Sequence, residues 1–99
     1  MANTNVAREQ RKFNLSKITL IEAYGNYVKV WQKEKMTLVN STLKQCFQQL
    51  PQPQFVQIHK SFLVNKLHVT AIDKEHVHLA EGKTIKVGKS FKGYVQELL

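Results

Sequence analysis

Cysteine is almost absent from this chain, and long apolar runs are missing altogether. Cys46 is the single cysteine, so the chain can form no internal disulfide and no cysteine-rich metal site. No apolar stretch approaches the roughly 18 residues that a membrane span requires, and residues 1–12 lack the apolar core of a secretory signal. These absences predict a protein of the cytoplasm, a reducing compartment, with no membrane partner.

The sequence also lacks the usual signs of an enzyme. It has no glycine-rich phosphate loop, and its seven acidic residues are scattered, mostly in predicted turns. His59 and Ser61 stand two apart in the sequence, with no neighbouring carboxylate to orient the imidazole of a nucleophile–base pair. We therefore predict that the protein is not an enzyme and needs no cofactor.

Two histidines raise the question of a metal site. His76 and His78 fall on one face of a predicted strand, but further ligands would have to come from His59, His68 or Cys46. Two exposed polar positions that alternate with apolar ones explain the same pattern more simply. We predict no metal site, and we place Cys46 in the core rather than in the electropositive, exposed setting of a reactive thiol.

Acidic residues are outnumbered, and the excess of basic residues suggests the kind of partner. Fifteen Lys and Arg against seven Asp and Glu leave a formal charge of +8. Such an excess favours an anionic partner, and for a small chain we place nucleic acid before an acidic membrane surface. A basic protein whose charge serves only solubility is the alternative.

What is present is a series of short runs in which apolar and polar residues alternate, a pattern typical of strands. We assign residues 1–16 to a basic flexible arm or linker and residues 17–99 to one domain, because 99 residues suffice for a single core. The predicted fold is mainly β, with an antiparallel meander first. The predicted strands are Ile18–Tyr24, Tyr27–Gln32, Met36–Val39, Phe55–His59, Phe62–Asn65, Val69–Ile72, His76–Ala80 and Thr84–Val87.

Two short helices complete the prediction. Asn40–Ser41 supplies the N-cap of the first helix, which ends before Pro51. The second helix spans residues 89–99 and contains Gly93, so its stability depends on packing. Several apolar and aromatic residues are predicted to lie in the core: Trp31, Leu43, Cys46, Phe47, Leu50, Phe55, Ile58, Phe62, Val64, Phe91, Tyr94, Val95 and Leu98.

The basic residues concentrate at predicted strand ends and at the start of the last helix, where recognition residues are commonly placed. A phosphate-binding surface and an ordinary solvated surface explain this pattern about equally well. Tyr24 and Tyr27 flank the Gly25–Asn26 turn, where stacking on a base or sugar and packing in the core are equally open.

Three blocks of sequence resemble the LytTR family of bacterial DNA-binding domains, which often follow a receiver domain in response regulators. The blocks run from Ile21 to Val28, from Phe55 to Asn65 and from Ile85 to Phe91, and the resemblance covers residues 17–99. The middle block, with Ile-His-Lys-Ser-Phe-Leu-Val-Asn intact, is the most specific. The resemblance implies an elongated LytTR-type β fold of several short antiparallel sheets.

The same resemblance implies sequence-specific binding to double-stranded DNA by a transcriptional regulator of a bacterial two-component system. Loops would enter successive major grooves at promoter direct repeats and bend the DNA. The implied base contacts are Asn26, Tyr27, Lys60 and Lys89, and the implied phosphate contacts are His59, Ser61, Lys66, Lys86, Ser90 and Lys92. For His59 a role in shaping its loop is the favoured alternative.

Partners other than DNA stay open at this stage. The sequence is compatible with a receiver domain, another protein or a second copy of the chain as partner, and with tandem binding along DNA. It is equally compatible with a freestanding regulator and with a domain cut from a longer one. A protein-interaction module and an RNA or single-strand binder that use the same basic face are the competing functions.

Overall fold

The computed structural model describes residues 13–98, which form a mainly β domain with short helices, as predicted. Within these residues no helix is both long and apolar enough to cross a membrane. The strands are β1 (Leu20–Tyr24), β2 (Tyr27–Gln32), β3 (Lys35–Val39), β4 (Phe55–His59), β5 (Phe62–Asn65), β6 (Val69–Ile72), β7 (His76–Leu79) and β8 (Thr84–Lys86). The helices are α1 (Leu43–Gln49), the 3-10 turns Leu15–Lys17 and Lys66–His68, and the closing 3-10 helix Lys89–Leu98.

The strands form two antiparallel sheets. The larger has five strands in the order β3-β2-β1-β5-β4, and the smaller has three in the order β6-β7-β8. β1 therefore lies between its hairpin partner β2 and the distant β5, with Ile21 paired to Val30 on one side and to Leu63 on the other. The alternation seen in the sequence gives each strand of the larger sheet two different faces.

Each face of the larger sheet covers its own apolar core. One face packs on α1, and the core between the sheet and the helix includes Ile21, Val28 and Cys46. The other face packs on the smaller sheet and the closing helix, and the core between them includes Val64 from the larger sheet and Val77 and Ile85 from the smaller one. Burial raises the pKa of the Cys46 thiol, an effect that a hydrogen bond with Ser41 partly offsets.

Helix α1 begins one residue later than the sequence predicts. Its N-cap is Thr42, not Asn40–Ser41, and Thr42 and Gln45 form a reciprocal capping box. The Thr42 Oγ1 accepts a 3.1 Å bond from the Gln45 N–H, and the Gln45 Oε1 accepts a 3.1 Å bond from the Thr42 N–H. Thr42 prevails because Gln45 stands three residues after it, the spacing that a capping box requires.

The closing helix differs in two ways from the prediction. It is a 3-10 helix, and Tyr94, predicted as core, is 52% exposed. Phe91 and Val95 pack partly against the second core, and Leu98 is buried in it.

Asn65 ties the start of the domain to the end of β5. Its side chain is fully buried, and its Nδ2 donates to the carbonyl oxygens of Leu15 at 3.2 Å and Ile18 at 2.7 Å. Its Oδ1 accepts a 2.9 Å bond from the Leu67 N–H. Phe13, inside the segment predicted as an arm, is buried in the first core, whereas residues 1–12 of that predicted arm lie outside the described residues.

Trp31 joins the two sheets on the side of the molecule away from α1. The Lys83 Nζ lies 3.0 Å from the centroid of the Trp31 ring, and the indole N–H donates to Glu22 Oε1 at 3.3 Å. Desolvation lowers the pKa of Lys83, and the negative charges of Glu81 and Glu22 oppose that shift. Trp31 is thus only partly buried, packed against the second core rather than inside it.

Candidate nucleic-acid interface

Two hairpin turns that carry predicted contact residues lie at the same end of the five-stranded sheet. The β1–β2 turn holds Asn26, and the β4–β5 turn holds Lys60. The Ala23 N–H donates to the Ser61 carbonyl at 2.8 Å, which fixes the end of β1 beside the start of β5. The two turns are centred about two strand spacings apart, roughly 10 Å.

A third predicted segment is fixed next to these turns by a backbone bond. The Gly88 N–H donates to the Ile58 carbonyl at 2.8 Å, on the free side of the outermost strand β4. The β4–β5 register shifts between Gln57 and His59, an irregularity of the kind that bends a strand and redirects its groups. Lys89 therefore follows directly after the point where the chain meets the end of β4.

We refer to the β1–β2 turn, the β4–β5 turn and residues 88–92 together as the basic rim. The β4–β5 turn lies between the other two parts, because β1 and β5 are neighbours and Gly88 binds the outer side of β4. Asn26, Lys60, Lys89 and Ser90 are exposed. The rim thus presents amide, ammonium and hydroxyl groups to solvent at one end of the molecule.

Beside the rim a concave surface collects further basic groups. It is a cavity of about 370 Å³. Its lining includes three lysines, of which Lys86 comes from the last residue of β8 and the others from the closing helix. One carboxylate, that of Glu75, balances only part of this positive charge. The lining residues are His59, Glu75, Lys86, Val87, Gly88, Lys89 and Lys92.

His59 is half-buried and holds the β4–β5 turn in shape. Its Nδ1 accepts a 3.1 Å hydrogen bond from the Ser61 N–H, so Nδ1 carries no proton while the bond exists. Its ring lies 5.3 Å from that of Phe62, measured between centroids. His59 also lines the cavity beside the rim. This geometry supports the loop-shaping role that the sequence favours for His59.

The β1–β2 turn carries aromatic groups as well as Asn26. Gly25 has a φ of +60°, a left-handed conformation that glycine adopts readily, and it lets the hairpin turn tightly. Tyr24 and Tyr27 are paired directly across the turn, and they are 54% and 45% exposed. Of the two possibilities that the sequence left open, packing in the core is therefore wrong for both tyrosines.

Lys66 does not lie with the other predicted contact residues. It follows the last residue of β5, and its N–H donates to the Gln54 carbonyl, just before β4 begins, at 2.7 Å. The length of β5, four residues at about 3.3 Å each, separates it from Ser61. Lys66 thus lies at the end of the sheet opposite the rim.

His76 and His78 lie together with Asp73. The Asp73 Oδ2 is 2.9 Å from His78 Nε2, and the Asp73 Oδ1 is 3.4 Å from His76 Nδ1. Chiefly because of its hydrogen bond with His78, the pKa of the Asp73 carboxyl is well below its usual range. No group of three or more potential ligands suited to a metal ion occurs in the described part of the chain.

Two groups at this site were not found by sequence reasoning. Glu75 lines the cavity and its carbonyl accepts a 2.8 Å bond from the Val87 N–H, although no carboxylate was expected near His59. Lys29, in β2, lies with its Nζ 4.4 Å from the centroid of the Tyr24 ring. The alternation of Tyr27, Lys29 and Trp31 with buried valines already places Lys29 on the face of Trp31, opposite the face that packs on α1.

Comparison with known proteins identifies the family. Residues 8–99 match the family profile described as the LytTr DNA-binding domain. Among solved structures, the chain is similar to the LytTr DNA-binding domain of a Bacillus cereus protein named as a methyl-accepting/DNA response regulator. The identity is 26% with a TM-score of 0.77, and the match covers 84% of this chain and 81% of the other. No curated protein matches the chain.

Proposed function

This chain belongs to the LytTr DNA-binding domain family, so it is a DNA-binding domain of the kind found in transcriptional regulators, and we propose that it recognises a specific sequence in duplex DNA through the basic rim. The observation that carries the proposal is the convergence of three separate segments at one end of the larger sheet. Backbone hydrogen bonds hold each segment in place, from Ala23 to Ser61 and from Gly88 to Ile58.

The exposed tips of the rim are the groups that would meet base edges. Asn26 can form a bidentate pair with adenine, and Lys60 and Lys89 can each donate to the acceptors of guanine. Tyr27 adjoins Asn26 and adds an apolar ring with a hydroxyl. Lysine makes these contacts as a flexible point charge, so Lys60 and Lys89 supply less geometric selectivity than arginine would.

The groups around the tips would bind phosphates and set the register of the protein on the duplex. They are the side chains of Ser61, Lys86, Ser90 and Lys92. His59 serves mainly to shape the turn that presents Lys60. Lys66 is omitted from the proposed interface because it lies at the opposite end of the sheet.

We further propose that the outer segments of the rim enter successive major grooves at direct repeats and that the DNA bends to meet them. The relative from Bacillus cereus is named as a response regulator. We propose a similar role for this chain. It would be the output domain of a bacterial two-component regulator in the cytoplasm, with a receiver domain as partner.

The test begins with selection of bound duplexes from a randomised pool, which defines a preferred site even where the target promoter has not been identified. Affinity for that site is then measured by fluorescence anisotropy beside a scrambled duplex, a single strand and an RNA of the same sequence. We expect preference for the selected duplex, and a slope of log affinity against log salt of about −2 from the phosphate contacts of Lys86 and Lys92.

The variant Lys89→Ala separates base recognition from charge. It should cost on the order of 1–3 kcal/mol on the selected duplex, and much less on the scrambled one. Equal losses on both duplexes would reassign Lys89 to a phosphate. A flat salt dependence, or tighter binding to RNA or to a single strand, would overturn the proposal as a whole.

A further inference from the structure

We propose that Lys29, positioned by the ring of Tyr24, is a further phosphate-binding residue that anchors the β1–β2 turn in its groove. This inference rests on the proposed function, because it adds a contact to the same interface. It starts from the Lys29 ammonium, which lies 4.4 Å from the centroid of the Tyr24 ring. A cation held over an aromatic face in this way is attracted by the negative face of the ring.

The direction of the Lys29 side chain supports this assignment. Lys29 is paired directly opposite Glu22, which would be the simplest partner for its charge. The Glu22 carboxylate instead accepts the indole N–H of Trp31, and the Lys29 ammonium lies over Tyr24, one diagonal step closer to the turn. The positive charge is thereby carried towards the basic rim rather than towards the middle of the sheet.

The depth of the major groove matches the distance of Lys29 from the tip of the hairpin. Lys29 is three residues behind Asn26, which at about 3.3 Å per residue places its backbone roughly 10 Å from the tip of the hairpin. The groove is about 8.5 Å deep. If Asn26 reaches the base edges, the backbone of Lys29 therefore lies at the height of the phosphates that border the groove, and its ammonium, over Tyr24, lies between that height and the tip of the hairpin.

The chemistry of the surrounding surface supports the same assignment. Tyr24 and Tyr27 remain 54% and 45% exposed on the face that also carries Lys29. Phenolic hydroxyls and ammonium groups are both common donors to phosphate oxygens. An ammonium that is already held in position loses less side-chain freedom on binding than a free lysine would. Tyr24 is thus a positioning residue for Lys29.

The inference is tested by salt titration of duplex binding, with the selected duplex and its scrambled form as probes. Lys29→Met keeps the side-chain stem but removes the charge. One lost phosphate contact should reduce the magnitude of the slope by about 0.9 on both duplexes, and the affinity at about 0.1–0.15 M salt by roughly fivefold to tenfold. Lys29→Arg should restore both quantities.

Two further variants act as controls. Lys35→Met removes an exposed lysine at the far end of the β2–β3 hairpin, and it should leave the slope unchanged. Tyr24→Leu should keep the slope but weaken binding by about twofold to threefold, because Lys29 keeps its charge and loses about 0.5 kcal/mol of positioning. Circular dichroism and thermal unfolding check that each variant is folded.

The outcomes distinguish this inference from the function on which it rests. If the wild-type protein binds no duplex in a salt-dependent way, the proposed function fails. If the wild type binds as proposed and Lys29→Met retains its full slope, the assignment of Lys29 is wrong. Equal loss of slope in Lys29→Met and Lys35→Met would also overturn it, because the effect would then come from overall charge.

Discussion

The imidazole Nδ1 of His59 and the backbone N–H of Ser61 form a 3.1 Å hydrogen bond that closes the β4–β5 turn from within. The bond spans Lys60, whose side chain is therefore presented from a turn that is fixed on both sides. The Ser61 carbonyl is bound to β1 as well, through the N–H of Ala23 at 2.8 Å. The shape of this turn thus depends on a side chain that is itself half-buried.

Substitution of His59 can separate loop shaping from phosphate binding. In His59→Asn the side-chain oxygen can replace Nδ1 as the acceptor, whereas His59→Phe keeps a ring beside Phe62 and removes the acceptor. We expect His59→Phe to lower duplex affinity about threefold to tenfold, since the bond is worth about 0.5–1.5 kcal/mol. His59→Asn should stay within about twofold of the wild type in the same anisotropy titration. Equal losses in the two variants would instead indicate that Nε2 binds a phosphate.

Gly88 offers a test of the link between the Lys89 segment and β4. A Cβ at this position would lie 3.1 Å from Phe91 Cδ1, closer than packed carbons normally approach, and in contact with His59 Cα at 3.4 Å. Gly88→Ala should therefore destabilise the protein by about 1–3 kcal/mol and displace Lys89, which weakens DNA binding. Urea unfolding and anisotropy measure the two effects.

Gly93→Ala is the matched control for Gly88. A Cβ at Gly93 has no atom within 4 Å, and the residue lies in the same closing helix that begins after Gly88. We expect a change in the free energy of unfolding between zero and a gain of about 1 kcal/mol, with unchanged DNA affinity. Equal destabilisation by both substitutions would show that the helix, rather than the close approach of Gly88 to Phe91, is sensitive.

Asp73 should give the unfolding stability a dependence on acid pH. Its hydrogen bond with His78, and those from the backbone of Glu75 and His76, lower the pKa of its carboxyl below the usual value of about 3.9. A carboxyl with a depressed pKa in the folded state contributes stability that is fully present above that usual value. The contribution disappears as the pH falls through the folded-state pKa.

Urea unfolding of the wild type and Asp73→Asn at a series of pH values measures this contribution. The wild type should be the more stable protein at pH 6, and the difference should shrink progressively below about pH 4. A difference that stays constant down to about pH 2.5 would mean that the Asp73 carboxylate gains nothing from its histidine and backbone partners.

The sequence predicted the strands well because their signal is local. Alternation gave β2 and β5 with their observed bounds, and it gave β4 from Phe55 to His59. Local chemistry also explains the error at α1, where the capping partner of Thr42 is Gln45, three residues away. The 3-10 form of the closing helix was missed because apolar spacing alone does not distinguish it from an α-helix in so short a segment.

The arrangement of the three rim segments depends on tertiary pairing, which the local sequence pattern does not reveal. Nothing between Gly25 and Ser61 indicates in sequence that β1 pairs with β5, which is the contact that brings their turns to one end. Nothing in the sequence indicates the bond between Gly88 and Ile58 either. Lys66 was correctly predicted to lie at the end of a strand, but the sequence did not show that this is the end of the sheet opposite the rim. Family resemblance supplied the grouping of these residues, and only the tertiary pairing separates Lys66 from them.

Asn65 has a consequence for how this domain is assembled. Its amide reaches back 50 residues to Leu15 and 47 residues to Ile18, so the innermost strand gains its second neighbour only after most of the chain exists. Contacts between residues so far apart in the sequence form slowly, because closing the long loop between them costs conformational entropy before any contact compensates for it. A nascent or truncated polypeptide that stops short of Phe62, the first residue of β5, would leave β1 with an unpaired edge, open to other strands.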